Sequence, residues 1–261
     1  MPHEMFFSQV SSQMPIADFE EARIAERIAS SAGQLLVLAR SSGLLQGKAL
    51  GAVGDAISNT FITRIIRESH PDDGLLSEED KDDESRLGKR RVWVIDPLDG
   101  TREFSENRDD WAVHIALVID GIPAACAVGL PSLGLTFSTA APPPLPPPPP
   151  GLPRILVSRT RPPEVALKVA EHLGGELVHM GSAGAKAMAV LRGEAHAYIH
   201  SGGQFEWDSA APAGVAAAAG LHVSRIDGSP LRYNQPDPYL PDLVICRPEL
   251  ARDILQALAA D

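Results

Sequence analysis

The stretch "PPPLPPPPPGLP", from Pro142 to Pro153, constrains this chain more than any other. Nine of the 23 prolines in the 261-residue sequence fall within it. Each proline fixes φ and removes a backbone donor, so the run is extended and cannot enter a sheet interior. Sheets must therefore form on either side of it. The texture of the sequence changes at the same point. This divides the chain into residues 1–141, a proline-rich connector at 142–153, and residues 154–261. The connector reads as a stiff spacer or surface loop, and a ligand for an SH3-like groove is the alternative.

Before the connector, Ile24, Ile28, Leu35 and Leu38 recur at near-helical spacing from Asp18 to Arg40. A second helix is expected from about Ala56 to Ser69, burying Ile57, Phe61, Ile62, Ile65 and Ile66 and stopped by Pro71. "VWVID" reads as a buried strand, and "WAVHIALVID", "IPAACAVGL" and "LGLTFSTA" as a meander that first turns at Asp120-Gly121. After the connector, "ILVSR", "ELVHM", "AHAYIH", "LHVSRI" and "DLVIC" read as strands. Helices are expected among them over 163–173, 183–191 and 208–219, with a last helix from Pro248. The two parts thus read as α+β and α/β.

Composition narrows the function. A net charge of −11 argues against a general nucleic-acid surface, which needs a basic face. Cys126 and Cys246 lie in apolar runs with no CxxC partner, as reduced core thiols of a cytoplasmic protein do. The opening "MPHEMFFSQVSSQMP" lacks the features of a signal peptide, and "AAPAGVAAAAG" is too short to span a bilayer. No membrane association is expected.

The chemistry centres on "VWVIDPLDGTREF", Val92 to Phe104. An apolar run delivers Asp96 to what should be the carboxyl edge of a sheet, and Asp99 follows three residues later. Alone, the pair could be a turn, since Asp-Pro and Asp-Gly are both turn dipeptides. Buried, the two charges would repel unless a cation sat between them. Gly100-Thr101 opens a short helix whose free N–H groups suit a phosphate. "LLSEED" brings Glu78 and Glu79 at the end of another apolar run, whereas Asp80 to Glu84 read as a solvated loop. In "FEWDSAAPAG", Asp208 precedes an alanine-rich helix and alone would be an N-cap. Together these residues form a hard oxygen donor set without histidine or cysteine, which favours Mg²⁺ or Mn²⁺ over zinc. Two such ions roughly 3.5–4 Å apart can clamp a phosphate and activate a water.

"EE", "WVIDPLDGT" and "WDSAA", in that order, resemble the Mg²⁺-dependent, lithium-sensitive inositol monophosphatase-like superfamily over nearly the whole chain. The resemblance implies a layered αβαβα sandwich of the inositol monophosphatase/fructose-1,6-bisphosphatase type, with the metal site between its halves. It implies two or three Mg²⁺ ions, for which Mn²⁺ may substitute. Glu78, Asp96, Asp99, Asp208 and the carbonyl of Leu98 would be the ligands, with Glu78 also catalytic. By the same resemblance, Asp55 in "AVGDAI" would begin the second helix and pair with Thr101 to activate the attacking water. Gly100 and Thr101 would offer amides to the phosphate. No covalent phosphoenzyme is implied.

Within that superfamily, "DGTREF" is similar to the 3′(2′),5′-bisphosphate nucleotidases of the CysQ type, where inositol phosphatases typically read "DGTTNF". "GSAGAKAMAV" supports this, with Ser182 and Lys186 as expected nucleotide contacts. Arg102 or Lys186 would bind a second phosphate remote from the metals. Arg232 and Tyr233, in "SPLRYNQ", are a further candidate contact with a surface turn as the equal alternative. The expected substrate is a small phosphorylated nucleotide. Inositol-1-phosphate or fructose-1,6-bisphosphate hydrolysis, and a non-catalytic binding module, are the other readings. A homodimer is left open.

Overall fold

The computed structural model describes residues 19–259; the opening stretch read above for a signal peptide lies outside them. Two helices come first, α1 (Phe19–Ser41) and α2 (Gly47–Ser69). They cover a five-stranded sheet in the order β1-β2-β3-β4-β5. Its strands are β1 (Gly74–Ser77), β2 (Arg91–Asp99), β3 (Ala112–Ile119), β4 (Ile122–Leu130) and β5 (Leu135–Ser138), with the short helix α3 (Thr101–Ser105) after β2. Only β1 and β2 run parallel. The remaining neighbours are antiparallel, as the meander predicts.

Beyond the connector lie β6 (Arg154–Ser158), α4 (Glu164–Leu173), β7 (Glu176–Met180), α5 (Ala183–Leu191), β8 (Ala197–Phe205), α6 (Glu206–Ala218), β9 (His222–Ser224), β10 (Tyr239–Cys246) and α7 (Ala251–Ala259). The second sheet has the order β7-β6-β8-β10-β9.

Strand periodicity sets the layers. Val113, Ile115 and Leu117 of β3 pack with Trp93 and Ile95 of β2 against Ile28, Leu36, Ile62 and Ile66 of α1 and α2. The alternate residues Ala112, Ala116 and Val118 face the opposite way, onto α5 and α6. Those two helices also meet Leu156, Tyr198, Leu243 and Ile245 of the second sheet, whose far face packs on α4 and α7. The order is α1α2, sheet, α5α6, sheet, α4α7: an αβαβα sandwich. Lying between two sheets explains why α6 is rich in small residues. A Cβ on Gly214 would meet Cys126 Sγ at 2.4 Å. Cys126 and Cys246 are buried free thiols. No described helix is long and apolar enough to cross a membrane.

The proline stretch carries no helix or strand. It is fastened to the C-terminal half: Leu145 packs on the central core, and Arg247 donates to the Pro146 carbonyl at 2.9 Å. The acidic loop is also more ordered than expected. Asp80 accepts from Asn59 and Arg67, and Asp82 from a buried Arg86. Arg86 in turn bonds Asn234 and the Gln235 carbonyl in the second half.

Candidate active site

The sequence places the acidic residues at element ends, and the fold brings those ends together. Glu78 follows β1, whose partner β2 carries Asp96 and Asp99. β2 does not stop at Asp96 as expected but continues to Asp99 through Pro97. The ladder to β3 slips there, pairing Asp96 with His114 and Asp99 with Ala112. A bulge tolerates a proline that lacks a ladder donor. Asp208 arrives from the other side as the third residue of α6, and its carboxylate accepts the Phe205 N–H at 2.7 Å. It therefore caps its helix and faces the cavity at once.

Glu78, Asp96, Leu98, Asp99, Gly100, Thr101, Arg102, Ser182, Lys186 and Asp208 line one cavity of about 470 Å³. Asp55 stands beside it. It does not begin α2, which starts at Gly47, but lies two turns inside. The approach depends on glycine: a Cβ on Gly51 would meet Thr101 Cγ2 at 2.8 Å, and one on Gly54 would meet Leu98 Cδ2 at 2.9 Å. With no side chains there, α2 presses onto the turn. Thr101 Oγ1 reaches Asp55 Oδ1 and the Leu98 carbonyl, each at 3.1 Å. Ser58, a residue with no warning in the sequence, ties α2 to the Pro97 carbonyl at 2.7 Å.

Electrostatics tests whether a cation fits. Burial raises Asp96 well above the ordinary carboxylate range, and Glu78, Asp99 and Asp208 raise it further. Burial and the charge of Asp208 push Glu78 up to about 7, and burial and Asp99 push Asp208 up to about 7. Burial and Glu79 raise Asp55 to about 6, against the Thr101 hydrogen bond. So many carboxyls ionise together only with positive charge among them. Asp99 is the exception: burial opposes its ionisation, but His114, Lys186 and Ser182 outweigh that and hold it low. The charge to be neutralised and the oxygen donors fit a divalent cation of the Mg²⁺ or Mn²⁺ type.

The expected nucleotide contacts are disposed unequally. Arg102 is exposed at the cavity wall. Ser182 donates to Asp99 Oδ2 and accepts from Ala185 N, so both roles are taken by the protein. Lys186 is buried rather than snorkelling, its ammonium held by the Met180, Gly181 and Ser182 carbonyls. Burial lowers it to about 8. Tyr233 is no surface contact: it is buried in the central core, 3.3 Å from Ser209 Oγ. Neither it nor Arg232 lines the cavity. Sequence reasoning missed Arg159 and Arg161, which do. Both stand in "VSRTR" just after β6, and basic residues at the carboxyl end of a parallel strand were the available signal.

The chain is similar to known proteins along most of its length. Residues 14–142 and 155–260 match the inositol monophosphatase family, the two segments leaving out the proline stretch. A Mycobacterium leprae protein named 3′-phosphoadenosine 5′-phosphate phosphatase is 49% identical over 92% of this chain and 93% of its own. A Mycobacterium tuberculosis protein of that name is 52% identical over 87% and 89%. The 3′(2′),5′-bisphosphate nucleotidase CysQ of Escherichia coli K12 is 32% identical over 71% and 80%. Among solved structures, CysQ from Bacteroides thetaiotaomicron superposes with a TM-score of 0.75 at 23% identity, covering 89% of this chain and 99% of that one. Fold, motif order and these matches agree: this chain belongs to the inositol monophosphatase family of metal-dependent phosphatases.

Proposed function

We propose that this protein is a cytoplasmic 3′(2′),5′-bisphosphate nucleotidase that hydrolyses the 3′-phosphate of 3′-phosphoadenosine 5′-phosphate to give AMP. The observation that carries this reading is a pair of guanidiniums, Arg102 and Arg161, in the same cavity as the carboxylates. Both side chains are exposed, and neither has a hydrogen bond or ion pair among the described residues. A monophosphate held at the carboxylates leaves such cations unused, whereas a second phosphate takes them. The names of the mycobacterial relatives support the same substrate.

Glu78, Asp96, Asp99, Asp208 and the Leu98 carbonyl would hold Mg²⁺, two or three ions in number. When bound, these ions neutralise phosphate charge and lower the pKa of water. The protein's own groups do the rest. Asp55 Oδ1 accepts the Thr101 hydroxyl proton, leaving the Thr101 oxygen aimed as acceptor at the attacking water. The amides of Gly100 and Thr101 stand at a helix start, where N–H groups lack intrahelical partners and suit a phosphate oxygen. Gly100 can hold this turn because φ is 90°, a conformation other residues resist. Lys186, itself part of the cavity wall, fixes the turn that carries Ser182. A homodimer is compatible with this reading and is tested by sedimentation.

The test is phosphate release with Mg²⁺, comparing kcat/KM for 3′-phosphoadenosine 5′-phosphate, inositol-1-phosphate and fructose-1,6-bisphosphate. A preference for the nucleotide of about 100-fold, or about 2.7 kcal/mol, is expected. Near-equal values would remove the nucleotide reading. Asp99→Asn abolishes turnover in an enzyme and leaves a purely proline-mediated binding module untouched.

A further inference from the structure

We propose that the proline stretch is a docking ridge for a partner protein whose groove is lined by aromatic rings and rimmed by basic residues. None of the stretch lines the active-site cavity. The residues matched to the family stop at 142 and resume at 155, so it lies outside what the family shares. Pro146 to Pro150 are five consecutive prolines. Proline fixes φ and keeps the residue before it extended, so such a run forms a polyproline II helix with three residues per turn. Residues three apart then share an edge, and the helix is a three-edged prism.

The three edges are disposed differently. Pro143, Pro146 and Pro149 are half-buried against the protein. There a Cβ on Gly193 would meet Pro146 Cγ at 2.8 Å, and Arg247 donates to the Pro146 carbonyl. Pro144, Pro147 and Pro150 are all exposed. On the third edge Leu145 packs on the central core, but Pro148 is exposed. From Pro147 onward the prism thus rests on its own protein by one edge and presents the other two. A prism seated in a groove makes contact by two edges and leaves the third outside, so the ridge is already posed for one. Its backbone is open as well: among the described residues nothing donates to the carbonyls of Pro147, Pro148, Pro149 or Pro150. Compact apolar rings pack on aromatic faces, and free carbonyls accept from Trp N–H and Tyr O–H groups; an aromatic-lined groove supplies both. A ridge ordered beforehand loses little freedom on docking. Charge adds the basic rim. Glu194 and Glu249 are exposed beside Gly193 and Arg247, whereas the guanidiniums they pair with, Arg192 and Arg247, are largely buried. Arg154, beyond the ridge, is exposed but paired with an exposed Glu176. The accessible charge flanking the ridge is therefore net negative.

The test titrates the full chain into a fluorescently labelled WW domain, a module that reads polyproline through an aromatic groove, and follows anisotropy. The domain is made in two forms, with lysines or with glutamates beside the groove. The lysine form is expected to bind about 10-fold more tightly than the glutamate form, and free poly-L-proline to displace it. Combining Pro147→Ala with Pro150→Ala strips the exposed edge and should weaken binding about 10-fold or more. Phosphate release by that variant should be unchanged, since neither residue lines the cavity. Absence of binding by the wild type, preference for the glutamate form, or full affinity in the variant overturns the proposal. Sedimentation of the chain alone is the remaining check. Self-association that the same substitutions abolish would make a second copy the occupant, and that also overturns it.

Discussion

Glu103 Oε1 accepts two hydrogen bonds from Arg159, from Nε at 3.0 Å and Nη2 at 2.8 Å, joining α3 of the first half to the loop after β6 in the second. The pair gives the "TREF" motif a physical sense. Arg102 faces the cavity, Glu103 ties down the opposite wall, and Phe104 is fully buried against Trp111. It also takes Arg159 out of service as an anion contact. Glu103→Ala should raise KM about 10-fold, cost about 1–2 kcal/mol of stability and leave kcat nearly unchanged, because the lost bonds hold a wall and not a reacting group. Steady-state kinetics and thermal melting check this, and a drop confined to kcat would contradict it.

In the proposed reaction Asp55 acts through Thr101, whose hydroxyl it accepts a hydrogen bond from, and not on the phosphate. Asp55→Asn keeps the size of the side chain but removes the base, so kcat should fall by about 10²–10⁴ with KM little altered. The same kcat loss should follow Gly51→Ala, whose Cβ would meet Thr101 at 2.8 Å and push α2 from the turn. Equal activity of Asp55→Asn and wild type would detach Asp55 from the reaction.

If Arg102 and Arg161 take the second phosphate, each Ala substitution should raise KM for 3′-phosphoadenosine 5′-phosphate and leave hydrolysis of a monophosphate alone. A loss of about 1.5–3 kcal/mol, the worth of a hydrogen bond to a charged group, is about 10–150-fold. Parallel losses on both substrates would show that these residues do not discriminate.

The metal-free protein should grow more stable on mild acidification. Glu78 and Asp208 are raised to about 7, Asp55 to about 6, and buried Glu206 to about 7. A carboxyl whose pKa is higher folded than unfolded contributes stability that is full below its unfolded value and is lost as pH rises through the folded one. The window therefore runs from about pH 4 to about pH 7. His196, His200 and His222, each held low chiefly by burial, oppose this below their unfolded value, as three groups against the four carboxyls above and Asp96, which burial also raises. Melting in a chelator at pH 8, 7, 6 and 5 should show Tm rising as pH falls. Saturating Mg²⁺ should flatten the curve, since it binds the ionised forms. A chelated Tm that falls steadily from pH 8 to pH 6 would refute the argument.

Lithium should inhibit turnover at millimolar concentration by competing for a Mg²⁺ position, as the family resemblance implies. A Mg²⁺-dependent inhibition curve checks it, and turnover indifferent to lithium would count against transferring the family's metal site to this chain.

The run "WAVHIALVI" is enough to mark β3 as a strand of the meander, because strand patterning is local, whereas which residues face α1 and α2 and which face α5 and α6 follows only once the layers pack. The "DPLDGT" run marks the candidate metal ligands because closely spaced carboxylates require a cation wherever they are buried and ionised. What stays hidden in the sequence depends on contacts between residues far apart along it. Asp55 sits within α2, and only the fold shows that Gly51 and Gly54 bring it onto Thr101. Lys186 looks like a free cation in the sequence, whereas burial commits its ammonium to three carbonyls. Arg86 and Asn234, 148 positions apart, close the two halves on each other. His114 reads as one polar residue in an apolar strand until α6 delivers the Trp207 carbonyl to its Nδ1. Residue type and spacing determine which groups can ionise, ligate or bury. Which of them are left free to do so is decided by the partners that packing supplies, and those partners are set by the tertiary structure.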